Sequence, residues 1–251
     1  MMLAIDCGNS RIKWARFEGG RMIDRGSASL LDDEDPIRVL GSALVPGIER
    51  VLIANVAGPA MDNQLRAAVS ETLALAAEFV SVKPSAFGIE CGYDDHTSLG
   101  VDRWLAMIAA RSRADGAFAV VGAGTAVTFD AVDAGGRHLG GLILPGDRLM
   151  IEALATNTRR LGIVAPATRA PGGIATYGRG TADAVAHGTR LAIAAAIDRA
   201  VGFLEQEIGT VPRLILTGGD AEQLSGWLAT RAEVRADLVL AGLAIVAGMQ
   251  E

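Results

Sequence analysis

This sequence predicts an α/β protein of two similar halves, residues 1–115 and 116–251. The prediction rests on a glycine turn between two apolar, strand-like runs that occurs twice, near the start and near the middle of the chain. Behind each copy comes a third strand, then helices alternating with strands. The first copy reads Leu3-Ala4-Ile5-Asp6-Cys7-Gly8-Asn9-Ser10, followed by Ile12-Lys13-Trp14-Ala15-Arg16-Phe17. The second reads Ala119-Val120-Val121-Gly122-Ala123-Gly124-Thr125-Ala126, followed by Val127-Thr128-Phe129-Asp130-Ala131-Val132. Glycine lets a turn approach a ligand closely, and successive backbone N–H groups make a concavity that suits phosphate oxygens. Two such turns, the first with an acidic residue suited to Mg²⁺, predict two phosphate loops facing each other across one nucleotide.

The elements follow in order. Strands are expected at residues 2–6, 12–17, 21–27 and 50–55, with another near 79–82. Between the last two, Leu65, Val69, Leu73 and Leu75 approximate a helical stripe over residues 61–77. Residues 84–99 read as loop and lead into a helix at 101–113. The second half repeats the scheme with strands at 118–122, 127–132 and 138–144. Helices at 147–156 and 181–208, a strand at 213–217 and a helix at 238–249 complete it. Residues 164–175, rich in Pro, Gly and Ala, read as a long loop.

Composition narrows the function. At 251 residues the chain can bury a sizeable core. Half of it is hydrophobic, yet its longest nearly uncharged apolar stretch, residues 238–249, falls short of the roughly 20 residues a membrane span needs. With no basic lead-in, and with Asp6 interrupting any signal-peptide core, a cytoplasmic protein without a membrane partner is expected. A net charge of −6 argues against nucleic acid, which calls for a basic face. Backbone amides and a metal ion can still hold ATP on an acidic protein. Cys7 and Cys91 form no metal-spacing motif, and the three histidines, His96, His138 and His187, share no ligand spacing.

The motifs are specific in combination. Asp6-Cys7-Gly8-Asn9-Ser10 with Lys13-Trp14 is followed by Leu99-Gly100-Val101-Asp102-Arg103-Trp104. Then come Gly124-Thr125-Ala126-Val127-Thr128 with Asp130, and His138-Leu139-Gly140-Gly141 with Pro145-Gly146. Thr181 before a helix and Thr217-Gly218-Gly219 end the series. In order and spacing this resembles the type III pantothenate kinases of the acetate and sugar kinase, heat-shock ATPase and actin superfamily. The resemblance implies two ribonuclease H-like halves of the actin-like ATPase fold, each a mixed sheet with flanking helices. It also implies phosphoryl transfer from ATP to pantothenate, the opening step of coenzyme A biosynthesis, and a homodimer whose second subunit helps close the substrate pocket.

Roles follow from the resemblance. Asp6 would hold Mg²⁺, through water because that ion keeps much of its hydration shell. Residues Cys7, Gly8, Asn9, Ser10, Arg11, Ile12 and Lys13 would bind ATP with Gly124 and Thr125. Asp102 would be the general base that accepts the pantothenate hydroxyl proton, with Arg103 holding the substrate carboxylate or orienting the base. Gly100, Val101, Tyr93 and Thr181 would touch the substrate. Each has an ordinary alternative: Asp6 as a turn cap, Thr125 as a hairpin threonine, Asp102 as a first-turn helix residue. Likewise Tyr93 can be loop packing and Thr181 a helix N-cap.

At one position the chain departs from the family. Where many members carry an aspartate associated with a monovalent cation, this chain has Gly122. That puts a K⁺ or NH₄⁺ site in doubt and keeps two other readings open: a non-catalytic regulator on the same fold, and a kinase for another small hydroxy acid.

Overall fold

A computed structural model of the chain describes residues 1–30, 37, 40–159, 161–167, 172 and 176–249. They form two compact units, residues 1–113 with those from 237 onward, and residues 114–236. The loop expected at 164–175 lies partly outside the described residues.

In the first unit, β1 (Met2–Cys7) and β2 (Arg11–Glu18) pair antiparallel, with Asp6 opposite Lys13. β2 pairs antiparallel with β3 (Arg21–Ser29). On the other side β1 runs parallel to β4 (Arg50–Asn55), and β4 to β5 (Ala77–Phe79). The order is β3-β2-β1-β4-β5. β1 is buried at almost every position, as a central strand covered on both faces must be. One core joins its Leu3, Ile5 and Cys7 to Ile12, Val51 and Ile53 and to Leu65 and Val69 of α1 (Pro59–Leu73).

Helix α1 is shorter than the 61–77 stripe suggests. It begins at a proline, whose missing N–H costs nothing in the first turn. It stops where Ala74 turns left-handed (φ 54°) and donates its N–H to Ser70 O. β5 accordingly starts at Ala77, two residues before the expected strand. The segment expected as loop, 84–99, holds a ribbon of β6 (Ser85–Ala86) and β7 (Ile89–Glu90), and a 3₁₀ turn at His96–Ser98. α2 (Val101–Arg111) follows, with Val101 and every residue from Arg103 to Ala110 buried.

The second unit repeats the sheet. β8 (Phe118–Ala123), β9 (Ala126–Val132) and β10 (His138–Pro145) are antiparallel neighbours. β11 (Arg213–Thr217) and β12 (Ala232–Val234) extend the sheet in parallel, giving the order β10-β9-β8-β11-β12. Each unit is thus a ribonuclease H-like mixed sheet, and together they are the two halves of the actin-like ATPase fold. α3 (Asp147–Asn157), α4 (Thr181–Ile208) and the short α5 (Ala221–Ser225) belong to this unit. α4 buries Ile193, Ala194, Ile197, Ala200, Val201 and Leu204, a spacing of three and four that puts one face on the sheet. Each large aliphatic side chain so buried contributes about 1.5–3 kcal/mol. Gly209, left-handed at φ 71°, ends the helix.

The last helix, α6 (Leu238–Val246), belongs to the first unit, although the sequence division at 115/116 groups it with the second half. The cause is packing. α2 is apolar almost all round and needs a second partner, and α6 provides one. The helices meet at Gly242, where a Cβ would lie 2.3 Å from Leu105 O.

Candidate active site

In the first unit the phosphate-loop candidate is the turn from β1 to β2. The Gly8 N–H donates to Arg11 O at 3.0 Å, closing the turn. Leu30 N–H donates to Ser10 O at 2.9 Å, so the end of β3 braces it. Asn9 and Arg11 are exposed, whereas the side chains of Cys7 and Ile12 are buried in the core, which leaves their backbone as the part that can meet ATP. Burial first, then the negative charges of Asp6 and Asp62, push the Cys7 thiol up to about 12. It is therefore neutral at ordinary pH and unsuited to nucleophilic work.

Asp6 is the electrostatic centre of this unit. Its carboxyl is raised to about 7, first by burial and then by the charges of Asp102 and Asp237, against the downward pull of Lys13 opposite it in the sheet. Asp102, second residue of α2, sits where the helix N-terminus favours a carboxylate. A Cβ on Gly100 would lie 2.5 Å from Asp102 Oδ1, so the carboxylate occupies the space that glycine leaves free. Beside it Arg103, 7% exposed, donates from Nη1 to the Tyr93 hydroxyl at 2.9 Å, its guanidinium 5.5 Å from the ring centre.

Sequence reasoning missed Asp237. It heads α6 in a left-handed conformation (φ 60°) and forms an ion pair with Arg25 of β3. An aspartate before an apolar helix reads as a routine cap, yet its side chain caps nothing here. No local signal tells that the end of the chain returns to Asp6.

In the second unit, three glycine turns that the sequence shows as separate strings meet at one place. Gly124 N–H donates to Ala126 O at 3.2 Å, which shapes the loop. Gly146 N–H donates to Thr125 O at 2.9 Å, and a Cβ on Gly146 would lie 2.4 Å from Gly124 O. Gly218, at φ 102°, comes so close that a Cβ would lie 2.2 Å from Ala123 O. Only glycine satisfies both the angle and the approach. Thr125 itself is exposed. Asp130 and His138 form a buried pair at 2.9 Å, and His187 Nδ1 lies 3.0 Å from Thr176 O.

Thr181 is the first residue of α4, and the N-cap is Gly180, so the capping alternative does not apply. Thr181 is exposed and lines an apolar groove of about 760 Å³ with Pro145, Leu149, Met150, Leu154 and Val185. Among the described residues, no helix is long and apolar enough to cross a membrane.

Comparison with known proteins fits this arrangement. The family profile described as type III pantothenate kinase matches residues 2–202. A type III pantothenate kinase of Aromatoleum aromaticum is 39% identical over 251 residues, covering 98% of each chain. Among solved structures, a Campylobacter jejuni protein provisionally described as a Baf family transcriptional activator aligns with TM-score 0.59 at 20% identity, covering 99% of this chain and 100% of its own. A Sinorhizobium meliloti protein provisionally described as a 2-dehydro-3-deoxygalactonokinase aligns with TM-score 0.58 at 16% identity, covering 98% and 96%. At such identities the two structures speak for the fold alone. The profile match and the curated relative go further, and by them the chain belongs to the type III pantothenate kinase family.

Proposed function

We propose that this chain transfers the γ-phosphoryl group of ATP to the primary hydroxyl of pantothenate, giving 4′-phosphopantothenate, the first step of coenzyme A biosynthesis. The observation that carries this reading is that Asp6, at the end of a central strand, feels the charge of Asp102, at the start of a helix, in a member of this family. Phosphoryl transfer needs charge neutralised on the phosphates, the nucleophile held in line and a carboxylate near the attacking hydroxyl. Asp102 accepts the hydroxyl proton as the oxygen attacks phosphorus and the bond to ADP breaks. Lys13 and the backbone amides of Asn9 and Thr125 bind phosphate oxygens, with Ser10 and Arg11 at the rim; Gly8 and Gly124, whose own N–H groups close the two turns, let the backbone come close to the phosphates. Arg103 and Tyr93 act together on pantothenate, with Gly100, Val101 and Thr181 as further contacts.

The residues fit a Mg²⁺ ion. Asp6 is a half-buried carboxylate raised to about 7 chiefly by burial, with Asp102 and Asp237 adding to the rise, and a cation beside it would favour its charged form. Mg²⁺ is commonly held by one or two carboxylates, water and substrate phosphates. When bound, it neutralises phosphate charge; Asp6 orients its water shell.

The test is a phosphorylation assay with ATP and Mg²⁺ on pantothenate and a panel of related hydroxy acids. Pantothenate should give the highest kcat/KM. Product from another acid alone would point to a different kinase, and binding without product at any Mg²⁺ concentration to a regulator.

We read the protein as a cytoplasmic homodimer. Leu142 and Ile143 of β10 are 48% and 65% exposed, and the groove beside Thr181 is apolar, so a second subunit would have apolar surface to cover. If a second subunit completes the pocket, dilution to monomer should remove activity even at saturating ATP and pantothenate. Light scattering that finds a fully active monomer refutes this.

Monovalent cations should matter little. Gly122 supplies no carboxylate, and a Cβ there would lie 2.8 Å from Thr128 Oγ1. K⁺ or NH₄⁺ should therefore stimulate weakly at most. Gly122→Asp combined with Thr128→Ala, which clears the hydroxyl, should raise the K⁺ response more than Gly122→Asp alone. Activity that collapses in a buffer whose only monovalent cation is tetramethylammonium, and returns with K⁺, would show that a site persists without the carboxylate.

A further inference from the structure

The second unit hides a charged pair in its interior. Arg190, in the first half of α4, and Asp147, first residue of α3, are 2% and 4% exposed, and Nη2 lies 2.5 Å from Oδ2. The contact is a close ion pair whose angles do not make it a hydrogen bond, and Arg190 Nε has no partner among the described residues. Burying two charges this way is expensive, and apolar residues of similar size often hold a fold as well or better. Stability alone therefore does not account for the pair.

Its position suggests another role. Asp147 follows Gly146 directly, and Gly146 is the residue whose N–H holds Thr125 O and whose missing side chain admits the carbonyls of Gly124 and Thr125. Asp147 Oδ1 also accepts from Arg148 N–H at 3.1 Å, which fixes the carboxylate to the first turn of α3. A continuous path thus runs from Arg190 through Asp147 and the Gly146 backbone to the second phosphate loop. The structure assigns Arg190 and Asp147 as positioning residues that set the second loop, Gly124-Thr125, for nucleotide phosphate. Moving either group off the other would leave a buried charge uncompensated, and that cost holds the start of α3 against α4. Neither residue touches the substrate. The inference rests on the kinase reading only in taking that loop as a phosphate loop.

The test separates positioning from stability. In Asp147→Leu/Arg190→Met both charges go and the volume stays, so thermal unfolding should occur at or above the wild-type temperature. Binding of Mg²⁺-ATP, measured by equilibrium dialysis with labelled nucleotide, should nevertheless weaken about tenfold, within the range that residues behind a site exert upon it. KM for pantothenate should stay within about twofold. Asp147→Asn strands the arginine and should lower stability; its ATP dissociation constant, taken at low temperature per folded molecule, should rise as well. Arg190→Lys keeps the charge and should recover part of the affinity. A stable double variant that binds ATP like wild type overturns the proposal, as does unchanged affinity in folded Asp147→Asn. If wild type binds ATP but phosphorylates no pantothenate, the substrate reading falls and the positioning role is still decided by the dialysis.

Discussion

Asp102→Asn should lower turnover by about 10²- to 10⁴-fold, the usual worth of a general base. The amide keeps the shape and cannot take the proton. KM for pantothenate should change far less, because Arg103 and Tyr93, paired at 2.9 Å, remain in place. The geometry adds a second handle. Gly100→Ala would put a methyl 2.5 Å from the present position of Oδ1, so the carboxylate has to move while its chemistry stays intact. That variant should also lose turnover, by a smaller factor. Near-full turnover in Asp102→Asn, measured by steady-state kinetics at saturating ATP, would remove Asp102 from the role of base.

Asp6→Asn should reduce Mg²⁺-dependent turnover by about 10²- to 10³-fold or more, the cost of deleting one preorganised charge partner in an active site. The same change should stabilise the fold. Wild-type Asp6 stands at about 7 in the folded chain against 3.8 as a free side chain. Between those values the folded state holds a proton that the unfolded state has released. The stability this residue contributes is full below about pH 4 and is lost as pH rises through about 7. Asparagine cannot ionise, so its advantage over wild type should be near zero in acid and greatest above pH 7. Allowing for water around a half-buried group, a gain of about 2 kcal/mol is expected, or a Tm higher by about 4–8 °C. Thermal scans from pH 4 to pH 8 check the sign: a variant less stable than wild type at pH 8 would refute it. In wild type, ATP binding with Mg²⁺ should improve as pH rises through 7, since the ionised carboxylate is the useful form.

How far the sequence could be read differs from element to element, for physical reasons. The long strands and α4 were legible because their patterning is strong, as in the three-and-four spacing from Ile193 to Leu204. The end of α1 was not, since an alanine in left-handed conformation carries no glycine signal and Leu75 prolongs the apolar stripe past the true stop. α5 and β12, of five and three residues, are too short to show a period, and neither was expected. At the site, Asp6, Asp102 and the two glycine turns stood out as motifs. Asp237 and the Arg190–Asp147 pair did not, because their meaning lies in contacts between distant segments that no local spacing encodes.

The placement of α6 bears on the order in which the chain can fold during synthesis. Residues 114–236 form their unit from one continuous stretch of chain. The first unit is different: its α2 keeps an uncovered apolar flank until residues 238–246 emerge. At about 5–20 residues per second, the 123 intervening positions take about 6–25 seconds to translate. Through that interval the N-terminal segment is the part most exposed to chaperones and proteases, although it was made first. A chain cut short just before Asp237 would therefore hold every residue of the second unit and leave the first, with Asp6 and Asp102, unfinished.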